Sequence, residues 1–205
     1  MSSIVIAGDT SGSVTLAAPA VSGSTTLTLP ATSATLATLT TPSFATTIGV
    51  GGATASASGS GITFPATVSG SSNANTLDDY EEGTWTPSLG GNATYAIQTG
   101  MYVKVGTLVT INFRIDLTTL GTGSATTISG MPFNVTNAVG GGSLAGSIGY
   151  WGSTATSISS CQLTLPSTTQ LSLQFTTGNQ STCTYNGTFF ANGTSMWATA
   201  SYMTT

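Results

Sequence analysis

The scarcity of ionisable side chains constrains this chain more than any other feature of its sequence. Among 205 residues there are two basic and six acidic side chains and no histidine, which gives a net charge of −4. Two basic residues are too few to neutralise the phosphates of a nucleic acid, so we expect no nucleic-acid partner. Histidine is the commonest general base and metal ligand, and its absence leads us to expect no catalytic site, metal or cofactor.

Serine and threonine take the place of the missing charges and account for 70 residues. A long surface helix needs a charged or polar face opposite its apolar stripe, whereas Thr, Val, Ile, Tyr and Phe favour strands. We therefore predict an all-β protein. The first residues lack the basic and apolar regions of a secretory signal, and no apolar run is long enough for a membrane helix. We expect synthesis in the cytoplasm and no membrane insertion.

The composition changes near residue 78, and Asp9 is the one charged residue before that point. Short alternating apolar runs lie at 13–16, 26–29 and 35–39. Strands that are this short and uncharged cannot protect their edges from other chains. We predict that 1–77 is an extended β-segment that anchors the protein in a larger assembly and intertwines three copies of the chain. The alternative is a flexible Ser/Thr/Gly linker.

The segment 78–205 contains longer alternating runs. From Leu108 to Leu117 an apolar residue occupies every second position, as in a strand with one buried and one polar face. Further runs lie at 102–105, 162–165, 170–175, 188–191 and 196–202. Strands at this spacing, separated by glycine-containing turns, predict an antiparallel β-sandwich of the jelly-roll kind.

Four acids, Asp78, Asp79, Glu81 and Glu82, lie within five residues. A calcium site and a glycosidase carboxylate pair are the functional alternatives. Adjacent residues rarely lie across a cleft from each other, and the run lacks the alternating Asp/Asn positions and the glycine of a calcium loop. We interpret the cluster as the charged junction between the two segments.

The other charges of 78–205 are Lys104, Arg114 and Asp116, all at predicted outward positions of strands. We expect a surface ion pair between Arg114 and an acid, which contributes about 0–1 kcal/mol. The cysteines Cys161 and Cys183 lie in separate strand-like runs. They form either an inter-strand disulfide or two buried thiols.

Tyr150 and Trp151 form an adjacent aromatic pair between glycines. We predict that the pair lies on a loop, where exposed rings can stack on the faces of sugar rings. It is therefore a candidate contact for a glycan or a partner protein. The alternative is packing in the core or in a subunit interface.

Several stretches resemble bacteriophage virion proteins. The N-terminal run 12–30 is similar to the segment that opens many phage tail-fibre and appendage proteins. The run 61–66 and the sequence Leu-Asp-Asp-Tyr-Glu-Glu-Gly-Thr-Trp-Thr-Pro at 77–87 are similar to a recurring junction in phage structural proteins, followed here by 100–106 and 130–133. The resemblance implies trimers, a β-rich shaft and a distal β-sandwich, and it implies no catalytic residues.

Together these observations predict a non-enzymatic virion structural protein, exposed on the particle surface as a trimeric tail fibre or fibre-like appendage. Residues 1–77 are expected to bind other tail or capsid proteins. The β-sandwich of 78–205 is expected to attach to the host surface, with surface polysaccharide as the candidate ligand. The alternative is a trimeric capsid decoration (cement) protein that stabilises the phage head by strand addition.

Overall fold

The computed structural model describes residues 3–7, 13–17, 47–67, 70–73, 75–136, 146–165, 168–178, 184–185 and 187–204. Every regular element within them is a strand, which confirms the prediction of an all-β protein. The strands are β1 (Ser3–Ala7), β2 (Ser13–Ala17), β3 (Thr47–Gly49), β4 (Gly61–Thr63), β5 (Tyr80–Trp85), β6 (Thr94–Val105), β7 (Leu108–Thr119), β8 (Thr127–Ile128), β9 (Ser147–Gly152), β10 (Ser160–Thr164), β11 (Leu171–Thr176), β12 (Thr184–Tyr185) and β13 (Ser195–Met203). The described part of the chain contains no helix that could span a membrane.

The chain separates into two compact units, Met1–Phe44 and Ala45–Thr205. In the first unit, β1 and β2 form an antiparallel pair, and β2 covers the run predicted at 13–16. The runs predicted at 26–29 and 35–39 lie outside the described residues. In the second unit, β3 and β4 pair in parallel. The functional division at residue 78 and the intertwining of three chains remain predictions.

The second unit contains a five-stranded antiparallel sheet in the order β5-β6-β7-β13-β9. Strands β5, β6 and β7 follow one another along the chain, and β13 lies between β7 and β9. On β7 the side chains of Val109, Ile111, Phe113, Ile115 and Leu117 are all buried. The alternation read from the sequence is therefore confirmed for this strand.

The second sheet has β11 at its centre, paired antiparallel with β8, β10 and β12. Its buried side chains Leu163, Leu171, Leu173 and Phe175 join those of the five-stranded sheet in one hydrophobic core. Each large apolar side chain buried in such a core contributes about 1.5–3 kcal/mol. Two antiparallel sheets thus face each other across a shared core in a sandwich-like arrangement.

The strand predicted at 188–191 does not form. Phe189 and Phe190 are both fully buried, and both backbone amides donate to the carbonyl of Ala125, at 2.9 and 3.1 Å. Successive side chains of a strand point to opposite faces. Two adjacent phenylalanines can enter the same core because the backbone here is irregular.

Candidate functional site

The predicted acidic junction lies at the start of β5, which is an edge strand of the five-stranded sheet. Asp78 accepts a hydrogen bond from the backbone N–H of Ser71 at 2.7 Å. The Tyr80 hydroxyl donates to Glu82 at 2.8 Å, and this contact raises the pKa of Tyr80. Within the described residues, no three His, Cys, Asp or Glu side chains come together where they could hold a metal ion.

Asp79 and Lys104 form a buried ion pair, which corrects the prediction that Lys104 faces outward. Both side chains are 3% exposed, and the Lys104 ammonium lies 5.5 Å from the centre of the Phe133 ring. The prediction placed the wrong face of β6 against the core. In the structure Val103 and Val105 are the exposed residues of this segment. A buried carboxylate requires a cation close by, and Lys104 supplies it.

Glycines and aromatic rings interlock on the inner face of β5 and β6. Gly83 lies opposite Tyr102, and Trp85 lies opposite Gly100. A Cβ atom at Gly83 would lie 2.8 Å from the Tyr102 hydroxyl oxygen, and one at Gly100 would collide with the Trp85 indole. Each ring therefore covers the glycine across from it, and neither position accommodates a larger residue.

The stretches 77–87, 100–106 and 130–133 meet in this region. The rings of Tyr102 and Phe133 are in edge-to-face contact with centroids 5.2 Å apart, and Trp85 packs in the core. We call the residues that these stretches bring together the junction cluster: Asp79, Trp85, Tyr102, Lys104 and Phe133. These motifs are recognisable in the sequence, but the sequence does not indicate that they contact one another.

The outer face of the five-stranded sheet points away from the core and carries large apolar side chains. At one end of this face, Tyr80 lies opposite Val105, Val105 opposite Leu108, and Leu108 opposite Met203. The first three are 42–46% exposed. These four residues, called the apolar row below, form a continuous line across four strands, which the sequence interpretation missed.

At the other end of the outer face, Trp197 lies between Arg114 of β7 and Tyr150 of β9. The Tyr150 and Trp197 rings are 5.0 Å apart at an angle of 37°, and the Arg114 guanidinium is 4.8 Å from the Trp197 ring. Arg114 donates from Nε to Asp116 at 3.1 Å, which confirms the predicted surface ion pair. The hydrogen bond from Arg114 holds the pKa of Asp116 below its usual value. These four residues are called the aromatic platform.

A groove of about 490 Å³ runs beside the platform, a volume within the range of small-molecule sites. Its lining includes Thr99, Met101, Asn112, Ser147, Trp197 and Thr199. None of the described residues that line it carries a carboxylate. The groove therefore offers an indole ring, hydroxyl and amide groups and the guanidinium of Arg114, whose charge is paired with Asp116. This set suits a ligand with an apolar face and a hydroxyl-bearing edge.

The two residues of the predicted aromatic pair, Tyr150 and Trp151, lie on opposite faces of one strand. Tyr150 and Trp151 lie in β9 and not on a loop, which corrects the prediction. Tyr150 is exposed on the outer face, whereas Trp151 is partly buried and packs against the core. Neighbours on a strand point to opposite faces, so the two rings cannot form one contact surface. The sequence did contain a signal that Trp197 is the ring beside Tyr150. In the alternating run 196–202, Trp197 occupies an outward-facing position, whereas the other apolar residues of the run face the core.

The two cysteines, for which a disulfide and two buried thiols were the alternatives, include one residue that the structure describes. Cys161 lies in β10, opposite Phe175, and is partly buried. Cys183 lies outside the described residues. Both alternatives, a disulfide and two buried thiols, therefore remain predictions.

No protein-family model and no curated protein matches this chain. Among solved structures, the chain is similar to the crystal structure of Dettilon tailspike protein (gp208), with 17% sequence identity and a TM-score of 0.44. The match covers 60% of this chain and 23% of the tailspike chain, so this chain spans less than a quarter of that protein. We transfer neither activity nor partners from a similarity at this level.

Proposed function

We propose that the chain is a non-enzymatic structural protein of a bacteriophage virion, in the form of a trimeric tail fibre or fibre-like appendage. One observation carries the proposal. The stretches 77–87, 100–106 and 130–133, which resemble phage virion proteins, contact one another in the junction cluster. Consecutive strands commonly pair, so the contact between 77–87 and 100–106 is expected in any hairpin. The third stretch, 130–133, reaches the other two from outside that hairpin, as expected of a shared structural unit.

In this proposal, residues 1–77 attach the protein to other virion proteins, and the sandwich projects outward to the host surface. The contact with the host is the aromatic platform and its groove. Tyr150 and Trp197 are each 45% exposed, which is unusual for rings of this size and favours a stacking partner. A host-surface polysaccharide supplies both the flat ring faces and the hydroxyl groups that this groove suits.

The absence of enzymatic activity is part of the proposal. Asp79 is paired with Lys104, and Asp116 with Arg114, so these carboxylates already have cationic partners. Glycoside hydrolysis requires two carboxyl groups on either side of the scissile bond. Incubation of the purified protein with host polysaccharide tests this point, and release of short oligosaccharides would contradict it.

The position on the particle is tested by antibody-gold labelling of intact virions, with serum raised against residues 84–205. Label confined to the tail supports the appendage. Label spread over the head supports a capsid decoration protein instead. A virion that carries no label contradicts both assignments.

The host contact is tested by adsorption of the purified protein to host cells. We expect Trp197→Ala to weaken adsorption roughly tenfold or more, because a central aromatic anchor commonly contributes about 2 kcal/mol or more. Ile48→Ala is the matched control, since Ile48 is an exposed apolar residue of a different sheet. If the two variants adsorb equally, the aromatic platform is not the contact with the host.

A further inference from the structure

We propose that the side chains of Lys104 and Asp79 condense after folding to an amide bond, which joins the start of β5 covalently to β6. Newly folded protein holds the buried ion pair, and the bond then forms from it. The bond can be tested without the proposed function, whereas its role in carrying load from residues 1–77 into the sandwich rests on that function.

The position of the single lysine is the first argument. The chain has one lysine among 205 residues, and its side chain is 3% exposed. Its ammonium donates a hydrogen bond to Oδ2 of Asp79, whose side chain is equally buried. The nitrogen is therefore in contact with an oxygen that is bonded to Cγ, the carbon atom that it would attack. Two reacting groups held in contact react within one molecule, without the entropy cost of an encounter in solution.

The surroundings of the pair favour its uncharged form. Within the described residues, the Asp79 carboxylate accepts a hydrogen bond from Lys104 alone, and no backbone N–H supports its negative charge. The Phe133 ring lies 5.5 Å from Lys104 Nζ and is in edge-to-face contact with Tyr102. Burial lowers the pKa of Lys104, while the charge of Asp78 acts in the opposite direction. In such a site a proton can pass from the ammonium to the carboxylate, which leaves an amine beside a carboxylic acid.

The condensation balances without a further reactant. The lone pair of the Lys104 nitrogen forms a bond to Cγ of Asp79, and the bond from Cγ to one carboxyl oxygen breaks. That oxygen leaves as water, together with the hydrogen of the carboxylic acid and one hydrogen of the amine. The product is a neutral amide, so neither charge remains buried and the desolvation cost of the ion pair disappears.

Glu81 provides the route for the proton. It lies directly opposite Lys104 in the pairing of β5 with β6, and it is partly buried. Residues directly opposite on antiparallel strands share a face and have Cβ atoms about 4.5–5.5 Å apart. The carboxyl group of Glu81 can therefore take the hydrogen from the amine and deliver it to the departing oxygen. Asp78 and Glu82, the other acids of the junction, accept hydrogen bonds elsewhere.

The place of the bond suits a chain that is pulled through residues 1–77. The chain enters the five-stranded sheet at β5, an edge strand that pairs with β6 alone in this sheet. A pull on the preceding residues would detach such a strand one hydrogen bond after another. Asp79 immediately precedes β5, so a bond to Lys104 passes the pull directly to β6, which is held between β5 and β7. Strand β5 then carries no load.

Mass spectrometry of the purified full chain, unfolded after prolonged incubation in the folded state, tests the bond directly. We expect the wild type to be lighter than its sequence by one water molecule. Lys104→Arg is the matched control, because it keeps a cation beside Asp79 while its guanidinium stays protonated and forms no amide. This variant should have the full mass of its sequence. A wild type of full mass overturns the inference, and so does a loss of water that persists in Lys104→Arg.

Trypsin provides a second readout on the unfolded chain. An acylated lysine lacks the positive charge that trypsin recognises. Unfolded wild type should therefore be cut after Arg114 but not after Lys104, whereas unfolded Lys104→Arg should be cut at both positions. Cutting of the incubated wild type after Lys104 overturns the inference.

The part played by Glu81 is tested through the rate of bond formation after cell-free synthesis. Glu81→Gln keeps the ion pair but should form the bond more slowly, so the fraction that trypsin cuts after Lys104 should decline later than in the wild type. Equal rates overturn the assignment of Glu81.

Stretching single molecules from their two ends tests the load-bearing role. The bond keeps the 25-residue separation between Asp79 and Lys104 out of the stretched length, so the wild type should extend roughly 80–90 Å less than Lys104→Arg. Lys104→Arg should also begin to unfold at a lower force, because β5 can detach first. Equal extension overturns the bond, and equal force overturns its role.

These measurements are independent of the gold labelling. Virions without label would contradict the proposed function and leave the bond standing. Labelled virions whose protein has the full mass of its sequence would contradict the bond alone.

Discussion

The two faces of the five-stranded sheet both carry apolar side chains, and they differ in how far those side chains are covered. The inner face buries Ile111 and Phe113, while the outer face leaves Met101 62% exposed together with the apolar row. On β6 the contrast is reversed, because the charged Lys104 is buried and Val103 and Val105 are exposed. Alternation therefore identified β6, β7 and β13 as strands, but it did not say which face of β6 lies in the core.

The largest expected effect separates the faces directly. Phe113→Ala should lower the free energy of unfolding by about 3–5 kcal/mol, because it leaves a cavity beside Trp85, whose ring lies 5.3 Å away. Met101→Ala, on the outer face, should change it by less than about 0.5 kcal/mol. Urea unfolding at one fixed protein concentration measures both, since association contributes to apparent stability. Similar losses in the two variants would erase the distinction between the faces.

The buried ion pair tests whether a charge on the inner face behaves as a core residue. Lys104→Met should cost about 3–5 kcal/mol, because Asp79 is left buried without a cation. The double variant Asp79→Leu with Lys104→Met should recover most of that loss. Arg114→Met is the control on the outer face, with an expected cost of at most about 1 kcal/mol. If Lys104→Met costs no more than the control, the pair is not buried as described.

The buried Tyr202 should make the stability of the inner face depend on alkaline pH. Burial raises the pKa of Tyr202 to about 12 from 10.0, and its hydroxyl donates to the Phe133 carbonyl at 3.2 Å. The contribution of the protonated Tyr202 to the free energy of unfolding is fully present below pH 10, the pKa in the unfolded chain. It is lost as the pH rises through the folded pKa of about 12. At about pH 11 the wild type should have lost roughly 1 kcal/mol that Tyr202→Phe retains. Unfolding of both proteins at about pH 8 and pH 11 measures this difference, and a gap that does not change with pH would contradict it.

The smallest effect belongs to the outer-face pair. The hydrogen bond from Arg114 lowers the pKa of Asp116 below 3.8, so its contribution is present above that pH and is lost as the pH falls through the lowered value. Asp116→Asn should cost at most about 1 kcal/mol near neutral pH, because the arginine is partly exposed. The difference from wild type should shrink as the pH falls below 3.8 in acid unfolding experiments. A cost that persists there would have a cause other than charge.

The sequence predicted those strands whose two faces differ strongly in polarity. The runs predicted at 108–117, 170–175 and 196–202 are strands β7, β11 and β13, with boundaries shifted by one or two residues. The orientation of β6 was not predictable in this way. It depends on Asp79, which lies 25 residues before Lys104 in sequence and reaches it only once β5 and β6 have paired.

The candidate site was predictable in part. Tyr150 was identified from its aromatic neighbour, but its true partner is Trp197, and their proximity arises from the pairing of β9 with β13. That pairing includes a register shift between Trp197 and Ala198, which no local pattern indicates. The apolar row was missed for the same reason, since Leu108 and Met203 are adjacent only across the sheet.

The scarcity of basic residues has a consequence for proteolysis. Trypsin cleaves after lysine and arginine, and this chain has one of each, Lys104 in β6 and Arg114 in β7. Both lie within strands that are hydrogen-bonded on both sides, so neither peptide bond can enter a protease until these central strands have separated from their neighbours. When reclosing is faster than cleavage, the rate of tryptic cutting reports the population of molecules in which this one sheet is open.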